Sequence, residues 1–276
     1  MVVGRLSDSH MFDIVDWLIF FILLAAGFLG SLSVVPLNQS ILRSTAKDIA
    51  SEAESRSLRM RRVVTSGVNL AVLTVAVMGG LVLSLHLRIV GSPLLESALR
   101  GTAVPSLWAA VAVPIMAGSV LGVVISPLAL YRPRESRVDF YRIPIWKRWL
   151  AGFFHGGIVE ELVFRWFLLA FLVWLLSLVL GFSVGSVPPQ AFWAANTLAA
   201  LIFGLMHLPG SAAAAPLTAW AIFLVIALNI IVGLVYGYFF WHSGLEAAMF
   251  AHMSTHLTLQ PCASLLLRYY RPVLNE

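Results

Sequence analysis

Residues 157–166 read Gly-Ile-Val-Glu-Glu-Leu-Val-Phe-Arg-Trp, so two adjacent acids and an arginine stand inside one of the most apolar runs of the chain. An ionised side chain at bilayer depth costs at least ~2.5–3.5 kcal/mol on insertion scales. Later apolar runs carry His207, at the end of Phe-Gly-Leu-Met-His, and the pair His252 and His256 in Ala-His-Met-Ser-Thr-His. Carboxylates and imidazoles are the side chains best suited to move protons near neutral pH, so this set points to general acid–base chemistry. Helical spacing divides the acids. Glu161 and Arg165 are four residues apart with the acid first, the favourable order for an ion pair. Glu160 is rotated by roughly 100° from Glu161 and is left without a local partner. Its expected partners are the histidines of later runs. Phe203, four residues before His207, is expected to pack over that imidazole. His155 also lies within an apolar run, and His242 and Glu246 lie near an interface.

These residues need a scaffold, and composition names its class. Of 276 residues 60% are hydrophobic and 11% are charged, against ~25% charged in soluble domains. A water-soluble fold of this size has too little interior for that much apolar surface. The expectation is an all-α, polytopic transmembrane helix bundle. Runs of about twenty apolar residues, enough to span a bilayer, fall at about 17–36, 63–86, 107–130, 149–180, 190–208, 217–241 and 245–267. That makes seven helices, or eight if the long fourth run breaks near Gly156–Gly157. No strand alternation or long repeat is present.

Charge orients the bundle. Fourteen of eighteen Lys and Arg residues fall in the 37–62 stretch, the 131–148 stretch and the C-terminus. The positive-inside rule then places the N-terminus outside and the C-terminus in the cytoplasm. Clustered bases on an apolar chain argue for membrane topology and against nucleic acid. The 43–62 stretch mixes Ile49, Ala53, Leu58 and Met60 with charges and is read either as an amphipathic surface helix or as a solvated loop. Acids precede the first apolar run and no small-residue cleavage site follows, so that run is read as a retained helix. The single cysteine, Cys262, excludes an internal disulfide or a multi-cysteine metal site.

Competing chemistries are tested by motif. Glu160, His207, His252 and His256 together make a conceivable zinc set. The His-Glu-x-x-His signature of zinc proteases is missing, because Met253 follows His252, and no cofactor is favoured. Gly181–Gly185 reads Gly-Phe-Ser-Val-Gly, but a nucleophile elbow needs a strand–turn–helix setting. Gly233-x-x-x-Gly237 is read as helix packing.

Glu-Glu-Leu-Val-Phe-Arg, then Phe-Gly-Leu-Met-His, then Ala-His-Met-Ser-Thr-His, in this order on successive apolar runs, resembles the CAAX-processing and bacteriocin-processing family of intramembrane proteases. The resemblance covers roughly 145–265. It implies that Glu160 and His207 activate a water, that His252 and the residue at His256 hold the oxyanion, and that Glu161 and Arg165 form a structural pair. It divides the chain into N-terminal helices over 1–144, a catalytic core over 145–267 and a tail over 268–276. It further implies an integral membrane enzyme, read as residing in a prokaryotic plasma membrane, that acts on a membrane-associated or lipidated peptide. Two positions depart from the pattern. His256 stands where the family has Asn or Asp, which alters reach and titration and makes zinc more credible than in other members. Trp166 stands where the family often has glycine, which puts close helix packing there in doubt. Two other functions fit the same residues: a scaffold or immunity protein that acts by binding, and a proton-coupled transporter with the Glu/His cluster as relay.

Overall fold

The computed structural model describes residues 12–45, 52–104, 106–131, 140–182, 186–214 and 217–270. Side chains of the expected amphipathic 43–62 stretch, the bases Arg132, Arg134, Arg137 and Arg271, and Ser183 lie outside the described residues. Every regular element among the described residues is helical: α1 (Ile14–Ser33), α2 (Val35–Thr45), α3 (Glu52–Leu87), α4 (Pro93–Arg100), α5 (Trp108–Leu130), α6 (Ile145–Leu180), α7 (Pro189–Met206), α8 (Leu208–Ala214), α9 (Ala219–Ser243) and α10 (Leu245–Tyr270).

Six helical stretches are long and apolar enough to cross a membrane: Ile14–Ile41, Gly67–Leu87, Trp108–Leu130, Ile145–Leu180, Pro189–Ala212 and Ala219–Ser243. The expected count of seven or eight is therefore not reached among the described residues. The seventh expected run forms α10, which is helical but too polar to qualify. Its polar side chains face inward: His252, Ser254, Thr255 and Gln260 are buried. α5, α6 and α9 pack around this helix. Neighbouring helices, rather than its own composition, shield the polar face of α10.

The other correction concerns the long fourth run. It does not break at Gly156–Gly157. α6 continues through that point with wide, π-type turns over Ala151–Glu160 and Leu162–Leu169. Such turns close hydrogen bonds five residues apart and recur at functional sites. The glycines serve close approach to α10. A side chain on Gly152 would run into the His256 ring, and one on Gly157 would strike Met253.

On its other side α6 packs on α1 and α3. Trp166 is 1% exposed and donates from Nε1 to the Val77 carbonyl at 3.0 Å. Gly80 faces it with no room for a Cβ. The small residue doubted at position 166 is thus supplied by the facing helix. α5 meets α10 in the same way, with Gly118 against the Ala251 carbonyl and Ser254, and Gly122 against Thr255 and Thr258. Gly237 on α9 gives its space to Asn196, whose amide donates to the Leu234 carbonyl at 3.1 Å.

A polar clamp closes the end of the bundle where α1 and α10 begin. Asp13 caps α1, accepting from the N–H groups of Val15 and Asp16, while Asp16 accepts from the Asp13 N–H. Arg100, at the end of α4, donates to Asp13 and to Glu96, both at 2.9 Å. Glu246 accepts from the Ser92 hydroxyl at 2.6 Å and the Leu95 N–H at 2.8 Å. Gly244, at φ +94°, makes the turn into α10, where a Cβ would collide with Pro93.

Candidate active site

The expected site residues come from three regions of the bundle. α6 carries Glu160, Glu161 and Arg165. His207 follows the last turn of α7, and α10 carries His252 and His256. The structure brings all six together.

Glu160 Oε2 lies 3.8 Å from His207 Nε2 and 4.0 Å from His252 Nε2. Both separations exceed a direct hydrogen bond and suit a bridging water or guest group. The two neighbouring acids differ sharply in access. The Glu160 side chain is 21% exposed and that of His207 33%, whereas Glu161 is at 0%, Arg165 at 3% and His252 at 4%. Glu160 and His207 can meet a reactant; Glu161 cannot.

Arg165 donates from Nη1 to Glu161 Oε1 at 3.0 Å. Its guanidinium lies over the rings of Phe203, at 4.4 Å, and Tyr236, at 5.2 Å. The same Glu161 oxygen also lies 2.6 Å from His252 Nδ1. Sequence spacing missed this contact, because the two residues are 91 positions apart. Glu161 thus does more than balance Arg165: it orients an imidazole, as the buried carboxylate of a Ser-His-Asp triad does. Tyr236 completes the mounting, stacked on His252 at 4.5 Å between ring centres.

Ring protons follow from these partners. A carboxylate beside His252 Nδ1 makes that nitrogen the N–H donor. In the neutral ring Nε2 is then an acceptor. His256 Nε2 stands 3.2 Å from it and must be the donor of that bond. His207 Nδ1 lies 2.7 Å from the Phe203 carbonyl and donates to it, which leaves the Nε2 lone pair facing Glu160. The Phe203 ring also packs edge-on to His207, with centroids 4.5 Å apart.

The remaining residues sort by contact. His155 sits one wide turn before Glu160 on α6, and its Nδ1, like that of His256, is buried without a hydrogen-bond partner among the described residues. His242 is bonded through its exposed side chain to the Tyr238 carbonyl of its own helix and lies outside the site. Glu246 belongs to the clamp. Among the described residues no group of three or more His, Cys, Asp or Glu side chains is arranged to hold a metal ion.

Residues 142–258 match the family model described as type II CAAX prenyl endopeptidase, Rce1-like. That segment contains all six residues, and the match agrees with the resemblance carried by the three motifs. No curated protein and no solved structure matches the chain.

Proposed function

We propose, from a core that matches the prenyl-endopeptidase family, that this protein is an intramembrane endopeptidase. It hydrolyses a peptide bond of a membrane-associated or lipidated peptide with a water activated by Glu160 and His207. One observation carries this reading. An accessible carboxylate faces two imidazole nitrogens at 3.8 and 4.0 Å, in a bundle where the adjacent acid is fully buried and bonded.

The chemistry follows from the proton assignments. Glu160 and the His207 Nε2 lone pair are both acceptors, so a water between them gives a hydrogen bond to each and turns an oxygen lone pair outward. Glu160 takes the proton as that oxygen adds to the scissile carbonyl carbon. The developing oxyanion needs donors aimed at it. His256 donates its Nε2–H to His252 in the resting site, and standing where the family has an amide it serves the oxyanion by turning that N–H from His252 to the developing charge. No step is routed through a metal.

The test is a cleavage assay in liposomes with a prenylated C-terminal peptide and its unprenylated twin, comparing wild type with Glu160→Gln. Glu160→Gln is expected to lower the rate by at least about 10²–10⁴-fold while the purified protein remains monodisperse. Full activity in that variant would sink the mechanism. No cleavage by wild type of either peptide, with a phenotype untouched by Glu160→Gln, would favour the scaffold reading instead.

A further inference from the structure

Two imidazoles flank Glu160, and they reach it from different helices. His207 follows α7 and His252 lies on α10, with their Nε2 atoms 3.8 and 4.0 Å from one carboxylate oxygen. His252 is held in the resting site by two hydrogen bonds, from Nδ1 to Glu161 and at Nε2 from His256. The second bond opens when His256 turns its N–H to the oxyanion. A ring left with one hydrogen bond can rock about it, and a rocking imidazole moves against Glu160 at the moment of reaction. A further contact must then keep the ring plane.

Tyr236 is placed to do so. Its ring stacks on His252 with centroids 4.5 Å apart and planes 22° apart. The Tyr236 ring has its own anchor. The Arg165 guanidinium lies over it at 5.2 Å and over Phe203 at 4.4 Å, and Phe203 in turn stands edge-on to His252 at 6.3 Å. A flat guanidinium is attracted to aromatic faces, most strongly where water is excluded, and Arg165, Phe203 and Tyr236 are all buried. The backbone of α9 is shaped for this contact. A Cβ on Gly233 would lie 3.4 Å from Arg165 Nη2 and 2.9 Å from the Ala200 Cβ. Gly233-x-x-x-Gly237, read from the sequence as helix packing, therefore also makes room for the guanidinium that faces Tyr236, the residue before Gly237. None of the three motifs includes this tyrosine.

We infer, on the endopeptidase reading, that Tyr236 is a positioning residue of this site: its ring, anchored on Arg165, keeps the His252 imidazole in plane while His256 serves the oxyanion. The ring face does this, and the hydroxyl does not. Tyr236 is too buried to touch a substrate, whereas His252 stands beside the reacting groups. Loss of the ring face should therefore slow turnover without weakening substrate binding.

The test compares Tyr236→Phe, which keeps the face, with Tyr236→Leu, which removes it. Full-length protein in liposomes is supplied with the prenylated peptide and its unprenylated twin. Tyr236→Phe should keep kcat within about threefold of wild type, and Tyr236→Leu should lower kcat by about tenfold or more with KM unchanged. Phe239→Leu is the control for lost packing, since Phe239 is buried on the same helix and its ring partner is Tyr238, outside the site. It should lower the melting temperature as Tyr236→Leu does and leave kcat at the wild-type value. A second readout needs no substrate. In NMR spectra of protein with isotope-labelled histidine, the His252 ring signal, identified by its loss in His252→Gln, should broaden or shift in Tyr236→Leu. It should stay unchanged in Tyr236→Phe and Phe239→Leu. Where Tyr236→Leu does not fold, Tyr236→Met is read in its place. Wild-type kcat or an unmoved His252 signal in Tyr236→Leu overturns the inference, as does an equal loss of kcat in Phe239→Leu or in Tyr236→Phe. If Glu160→Gln cleaves as fast as wild type, the endopeptidase reading itself has failed, and the His252 signal alone decides whether Tyr236 holds that ring.

Discussion

The two halves of the bundle satisfy their polar groups in different ways. In α1 and α3 the hydroxyls turn back on their own helix. Ser33 donates to the Gly30 carbonyl, Ser84 to Leu81, Thr74 to Leu70 and Ser31 to Gly27. In α6, α7, α9 and α10 hydroxyls such as Ser177, Thr197 and Thr255 do the same, but charged, imidazole and amide groups also reach across helices. Glu161 meets His252, Arg148 donates to Gln260 and Ser264, and Asn196 donates to the Leu234 carbonyl. Self-satisfied hydroxyls leave a helix free to act as a wall. Cross-helix bonds fix one helix against another at particular atoms, which a reaction centre requires. The candidate site and these interhelical polar contacts coincide in the second half.

Breaking that contrast most severely means removing the residue on which the cross-helix bonds converge. Glu161→Gln deprives the buried Arg165 of its counter-ion and His252 of its carboxylate. Loss of one partner of a buried pair costs about 3–5 kcal/mol. Folded yield and cleavage should therefore fall together, unlike in Glu160→Gln, where only cleavage falls. A Glu161→Gln protein with wild-type thermal stability and turnover would show that the convergence is incidental.

Glycines sharpen the comparison at matched distance. A Cβ on Gly156 would lie 3.0 Å from His252 Nε2 and 3.2 Å from His256 Nε2. A Cβ on Gly27 would lie 3.0 Å from Leu162 Cδ1 and 3.1 Å from Leu73 Cδ2. The leucine ends can rotate away; the imidazoles are held by Glu161 and by each other. Gly156→Ala should lower turnover by about tenfold or more, since small displacements of positioned groups are costly. Gly27→Ala should leave turnover unchanged and cost about 1–3 kcal/mol of stability at most. Paired kinetic and thermal measurements on the two variants decide it.

The smallest effect lies in the clamp. Burial alone would raise the Asp13 carboxyl, but the Asp16 N–H and Arg100 together hold it below its ordinary value. A carboxylate with a depressed folded pKa stabilises above its unfolded value and loses that contribution as pH falls through the folded one. Asp13→Asn should therefore be slightly less stable than wild type at neutral pH. The two melting curves in detergent should converge in acid, below the ordinary aspartate range. A gap that widens on acidification would reverse the sign of this contribution.

What was legible in the sequence is what is local. Glu161 and Arg165 are one turn apart, so their separation from Glu160 could be read from spacing. The partnership of Glu161 with His252 could not, because it depends on how α6 and α10 are set against each other. The hydropathy of α10 misled in the expected direction. Its inward polar face lowers the apolar signal that marks a span, and that face carries His252 and His256. The wide turns of α6 were not legible either, because no residue pattern in Ala151–Glu160 announces them. Gly156–Gly157 is a visible signal, read as a break in one of two alternatives for the fourth run and found to be a contact surface for α10.

The cross-helix bond of Glu161 also has a consequence for how the protein is made. α6 leaves the ribosome long before α10, which holds His252. A nascent chain with α6 in the membrane carries Glu161 already balanced by Arg165 on the same helix. Glu160 has no such companion until His207 and then His252 arrive. Glu160 therefore enters the bilayer alone, and Glu161 enters accompanied. A chain truncated before Leu245 retains the ion pair and the six apolar spans but not the imidazoles of α10, so the site is complete only when the last helix is in place.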